Sequence, residues 1–241
     1  MSAQEIVVGL REGADPDRAV HEKRYLKSEL RHLGVGLPEL RHVVAAFARK
    51  HPDLRRAELL RLVRELWKIP VHEYRTAAVE LLDRFGSILT PADLRLVERL
   101  IRGSKTWALV DPLAINVAGG LVERFPEVGD ELDRWAVDRD FWVRRSALLA
   151  LLRPLRRGEG DFRRFAGYAD RMLEEREFFI RKAIGWVLRE TGKVRPRRVA
   201  RWLRPRAAMA SGVTVREAVK YLSRADRESI LRAHARGAQA R

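Results

Sequence analysis

The spacing of apolar residues is the feature that most constrains this chain. Apolar side chains recur three and four positions apart in AELLRLVRELW (57–67), TAAVELLDRF (76–85) and REAVKYL (216–222), the interval that lines one face of an α-helix. Runs that alternate apolar and polar residues at strand length are missing. Breaks fall at Gly34 to Pro38, Pro70, Gly86 to Pro91, Pro126 to Gly129, Gly158 to Asp161, Gly192 to Pro196 and Pro205 to Thr214, where glycine and proline interrupt a helix. Thr90 before Pro91 with Asp93, and Thr214 with Glu217, read as helix starts of the capping-box kind. The pattern predicts an all-α chain of about a dozen helices, or about six HEAT-like pairs of roughly 40 residues. Such pairs stack into an α-solenoid with a concave groove. No long linker divides residues 1–241, so a single domain is expected.

Composition narrows the function. The chain has no cysteine, which excludes disulfides, thiolate metal sites and cysteine nucleophiles. Its six histidines (21, 32, 42, 51, 72 and 234) show no ligand spacing, so no metal is expected. No apolar run approaches the roughly 18 to 20 residues that span a bilayer, and the opening MSAQEIVVGLREG does not read as a signal peptide. No membrane partner and a cytoplasmic location are therefore expected. The formal net charge is +16. Residues 1–120 carry 20 Lys and Arg against 16 Asp and Glu, a net of +4; residues 121–241 carry 29 against 17, a net of +12. A basic surface of this size favours a polyanion through phosphate contacts and counterion release, although 41 of the 49 cations are arginines and GC-rich coding alone would enrich them.

Three segments carry candidate chemistry. In FWVRRSALL (141–149), Arg145 shares a helix face with Phe141, Leu148, Leu149 and, beyond the segment, Leu152. A cation in an apolar stripe must meet an anion, either an internal carboxylate or a phosphate; Arg144 reads as a solvated charge. In EFFIRKAIGWVLRE (177–190) the core face is Ile180, Ala183, Ile184 and Val187. Trp186 lies roughly 110° away, at about 100° per residue, between Lys182 and Arg189. That arrangement fits a stacking platform beside nucleic acid or packing against the next repeat. In TWALVD (106–111), Trp107 and Asp111 are one helical turn apart. Asp111 beside an aromatic wall suits stabilisation of a developing cation. The stronger local reading makes it the N-cap of a helix starting at Pro112. LGVGLP (33–38) reads as an inter-helix turn.

Together with KRYLKSELRHLGV (23–35) and RELWKIPVHEYRTAAVELL (64–82), these segments resemble the AlkD family of alkylpurine DNA glycosylases nearly end to end. EFFIRKAIGWVLRE is the most specific piece. The resemblance implies that Asp111 is the catalytic aspartate, that Trp107 and Trp186 are active-site tryptophans, that Arg145 contacts phosphate, and that Tyr25 faces DNA. It further implies double-stranded DNA with alkylated bases as the partner, hydrolysis of the bond to cationic purines without base flipping, no cofactor and a monomer. No lysine is placed for a Schiff base, so no strand cleavage is expected. The chain departs from the family in having Thr106 where some members have a second tryptophan, and Pro112 after the aspartate. Related solenoids that lack the aspartate bind DNA without cutting it.

Overall fold

The structure, a computed structural model, describes residues 3–239. Among these residues there is no strand, only one isolated bridge between Arg31 and Val71. The helices are α1 (Gln4–Glu12), α2 (Pro16–Leu26), α3 (Leu37–Lys50), α4 (Arg56–Lys68), α5 (His72–Arg84), α6 (Leu94–Ser104), α7 (Trp107–Pro112), α8 (Gly119–Arg124), α9 (Val128–Trp135), α10 (Phe141–Leu149), α11 (Leu152–Arg156), α12 (Phe162–Met172), α13 (Phe178–Gly192), α14 (Pro196–Leu203), α15 (Gly212–Ala218) and α16 (Arg224–Gln239). The all-α expectation is met. Helices outnumber the expected dozen, in part because prolines subdivide two long apolar runs. Pro112 is followed by a π-helical turn at Leu113–Ala118. Pro154 has no N–H to offer the Ala150 carbonyl four residues earlier, and α10 and α11 are separate helices there.

The chain divides into two compact units, residues 1–113 and 114–241. In the first, α5 is central: it packs on α1, α3, α4 and α7. Ala77, Ala78, Leu81 and Leu82 on α5 are fully buried, as are Leu59, Leu62, Val63 and Leu66 on α4. Each such leucine contributes about 2 kcal/mol on leaving water. In contrast, α2 buries none of its residues. It is tethered at its start, where the Asp15 N–H donates to the Leu33 carbonyl at 2.9 Å. Gly34 makes that approach workable: its φ is +80°, and a Cβ there would lie 2.0 Å from the Asp15 carbonyl oxygen. The 33–38 segment is the inter-helix turn expected.

In the second unit α13 is central, packing on α10, α11, α14 and α15. Its predicted core face of Ile180, Ala183, Ile184 and Val187 is fully buried. Gly185 allows close contact with α15, since a Cβ there would sit 2.9 Å from that of Glu217.

Two predicted helix starts fared differently. Thr90 and Asp93 do form a reciprocal capping box, and Arg56 on α4 also donates to Asp93. Thr214 is not a cap. Ser211 caps α15 by accepting from the Thr214 N–H at 3.1 Å, so the helix begins three residues earlier than the sequence suggests. The Thr214 hydroxyl instead donates to the Arg181 carbonyl of α13 at 3.0 Å.

Candidate nucleic-acid interface and catalytic residues

The first unit brings three of the predicted residues onto two short helices. Thr106 is the N-cap of α7, its hydroxyl accepting from the Ala108 N–H at 3.4 Å. Trp107 is therefore the first residue of the helix and Asp111 lies one turn later, inside it. This corrects the cap reading of Asp111: with Thr106 already starting the helix, a cap at 111 has no helix end to serve. Pro112, the last residue of α7, has no N–H to offer the Ala108 carbonyl four residues earlier, and the chain widens into the π-turn just after it. Asp111 is buried and Trp107 is half-buried. The Tyr25 ring, near the end of α2, meets the Trp107 ring edge-on with centroids 6.1 Å apart and planes at 88°, a favoured aromatic geometry. Tyr25 is otherwise 75% exposed. The first unit thus presents an aromatic pair with one ring open to solvent and, a turn away, a buried carboxylate.

The second unit holds the others. Arg145 is 3% exposed on α10. Its guanidinium donates to the Phe179 carbonyl and lies over the Phe179 ring, 5.8 Å from the centroid. A carbonyl and an aromatic face are among the groups that hold the cation, and local spacing in the sequence does not reveal them. Phe179 also stacks with Phe141 and meets the Trp142 ring at a tilt of 41°. Arg144, read as a solvated charge, is instead a latch: it donates to both carboxylate oxygens of Glu175, at 2.9 and 2.7 Å, and to the Asp138 carbonyl. The long-range pairing across 31 residues is invisible to local periodicity.

On α13, Trp186 is half-buried, off the core face as expected. Lys182 and Arg189, which flank it, converge on Glu217 of α15: Lys182 Nζ lies 3.4 Å from Glu217 Oε1, and Arg189 donates to Oε2. Lys220 adds a third cation at 2.8 Å. Burial alone would raise the Glu217 carboxyl, but Lys220, Lys182 and Arg189 outweigh it and hold the group down at about 2. Next to it, burial also opposes ionisation of Glu190, and Lys193 and Arg189 bring its carboxyl below the ordinary value. Sequence reasoning overlooked Glu217 because it read the residue as part of a cap.

Comparison with known proteins agrees with this architecture. Three solved structures share the fold. The protein titled a predicted DNA alkylation repair enzyme from Enterococcus faecalis superposes with a TM-score of 0.75 at 22% identity, covering 88% of this chain and 97% of that one. AlkD2 from Streptococcus mutans gives 0.61 at 17% identity, over 86% and 98%. The smu.31 protein from Streptococcus mutans UA159 gives 0.61 at 15% identity, over 89% and 100%. No curated protein matches the chain in sequence. The family model described as DNA alkylation repair enzyme matches residues 6–222. With nearly the whole helical array inside that match, the chain belongs to the family of DNA alkylation repair enzymes.

Proposed function

We propose that the chain is a monofunctional DNA glycosylase that hydrolyses the N-glycosidic bond of cationic alkylated purines, such as 3-methyladenine and 7-methylguanine, in duplex DNA. The observation that carries this reading is Asp111, a buried carboxylate one helical turn from the half-buried Trp107, in a chain of the alkylation repair family.

The chemistry follows from the substrate. The alkylated base carries a positive charge, so the C1′–N bond breaks with its electron pair moving to the base, which leaves neutral. The deoxyribose becomes oxocarbenium-like. The Asp111 carboxylate stabilises that cation and orients a water, whose oxygen bonds to C1′ as its proton is lost to solvent, leaving an abasic site. The indole faces of Trp107 and Trp186 favour the same positive character. Arg145 contacts a backbone phosphate and sets register, with Tyr25, Lys182 and Arg189 as further contacts to the duplex. HEAT-like helix pairs carry these residues, and the protein acts as a monomer. Selectivity comes from the lability of the cationic base, with no flipped-base pocket. Among the described residues no helix is long and apolar enough to cross a membrane.

The test is release of free methylated base from methylated duplex DNA by wild type and by Asp111→Asn. Wild type is expected to release 7-methylguanine or 3-methyladenine, and the variant to do so about 10² to 10³ times more slowly, with duplex binding retained. Binding without release by wild type would overturn the catalytic reading in favour of a solenoid that recognises bent or branched DNA.

A further inference from the structure

Helix α2 poses a physical problem that its contacts leave open. It carries Tyr25, yet buries none of its own residues. Beside it lies a group of polar side chains that is costly as it stands. His32, in the loop after α2, is 8% exposed, and neither ring nitrogen has a hydrogen-bond partner. Its ring stacks on that of His72, at the start of α5, with centroids 4.5 Å apart and planes at 8°; Nδ1 of His72 is also unpartnered. Native proteins rarely leave buried donors and acceptors unmet, since each costs about 1–3 kcal/mol.

Two carboxylates face the same place. Glu73 on α5 is 1% exposed; its oxygens accept the N–H groups of Leu33 and Gly34 at 2.9 and 2.7 Å, and each oxygen keeps a second lone pair. Glu22 on α2 is half-buried and pairs with Arg18 at 2.7 Å. One atom each from Glu22, His32 and Glu73 lies within 4.8 Å of the others. Ligands around a zinc ion at about 2.0–2.2 Å sit closer than that, and rotation of the long Glu22 side chain away from Arg18 supplies the contraction.

We infer that Glu22, His32 and Glu73 form a divalent transition-metal site that ties α2 and the 31–36 loop to α5. One imidazole and two carboxylates suit zinc, and the ion's two charges balance those of the carboxylates. Three protein ligands leave a fourth position for water. The role is structural: the ion fastens to the central helix of the unit the segment that presents Tyr25, and supplies the partner that His32 lacks. A search for histidine spacing does not find the site, because its ligands lie 10 and 41 residues apart and meet only through the fold.

The probe is zinc added to full-length protein previously dialysed against chelator. Binding is measured by calorimetry, and cobalt substitution reports on ligand type through its visible spectrum. Wild type is expected to bind one equivalent at micromolar concentration or tighter and to gain thermal stability. Glu22→Gln and His32→Gln, each checked for native helicity, should bind at least tenfold more weakly. Glu22→Gln alters a half-buried helical position and keeps the assay informative if His32→Gln misfolds. Arg18→Gln, which releases Glu22, should bind as tightly as wild type or more so. No binding by wild type, or equal binding by wild type and Glu22→Gln, would overturn the site and leave His32 a buried ring satisfied by water.

Discussion

The ring of Tyr25 on α2 stands edge-on to that of Trp107 on α7, with centroids 6.1 Å apart and planes at 88°. Tyr25 is 75% exposed, so it adds little to the core; under the proposed function it orients Trp107 and meets substrate. Tyr25→Ala is expected to leave the melting temperature within a few degrees of wild type. It should slow base release about tenfold by loosening the tryptophan. Tyr25→Phe keeps the ring and should retain most activity. A Tyr25→Ala protein as active as wild type would remove the pair from the mechanism.

Thr106 stands where some family members have a second tryptophan, and here it caps α7. Thr106→Ala should cost about 1 kcal/mol and Thr106→Ser very little, measured by urea unfolding. Because the cap fixes where α7 begins, and so where Trp107 and Asp111 point, Thr106→Ala should also slow base release. Unchanged stability in Thr106→Ala would show that the 3.4 Å contact to Ala108 contributes nothing.

Arg145 satisfies a carbonyl and covers a ring at once. Lysine keeps the charge but has neither the planar fork nor the stacking face. Arg145→Lys should therefore destabilise the protein by about 1–3 kcal/mol and weaken duplex binding. The check is thermal unfolding alongside a binding isotherm at fixed salt. A variant equal to wild type in both would mean that only the charge matters.

Glu217 anchors α15 to α13 through Lys182 and Arg189 and pairs locally with Lys220, and its folded value of about 2 lies below the ordinary 4.5. Stability from this cluster is thus fully present above pH 4.5 and is lost as pH falls toward 2. Glu217→Gln should lower stability on the order of 2 kcal/mol at neutral pH, and the gap between wild type and variant should narrow through that acid window. By releasing Lys182 and Arg189, the same variant should tighten duplex binding and steepen its dependence on log salt by about one to two. A constant gap from pH 7 to 2 would show that ionisation of Glu217 is not the source.

What could be read in advance depended on the range of the forces involved. The core face of α13 was legible because burying an apolar stripe leaves a period of three to four residues in the chain itself. The turn at Gly34 was legible because glycine announces backbone freedom, although the Asp15 carbonyl that makes it necessary comes from the far end of α2. The cap at 111 was misjudged: Thr106 and Asp111 are both good cap residues, and choosing between them requires knowing where the helix starts in space. The Thr214 start failed for the same reason, Ser211 being the residue used.

The sequence by itself determined the helical class, the core faces, the basic excess in residues 121–241 and, through its motifs, the resemblance to a repair family, since each is written in residue type and short-range spacing. Only the tertiary structure decided the partners: Arg145 on the Phe179 carbonyl and ring, Arg144 on Glu175, Lys182 and Arg189 on Glu217, and His32 stacked on His72 beside Glu73. Those contacts join residues 28 to 40 positions apart. A buried polar group takes whichever partner packing brings within about 3 Å, and no local pattern encodes that choice.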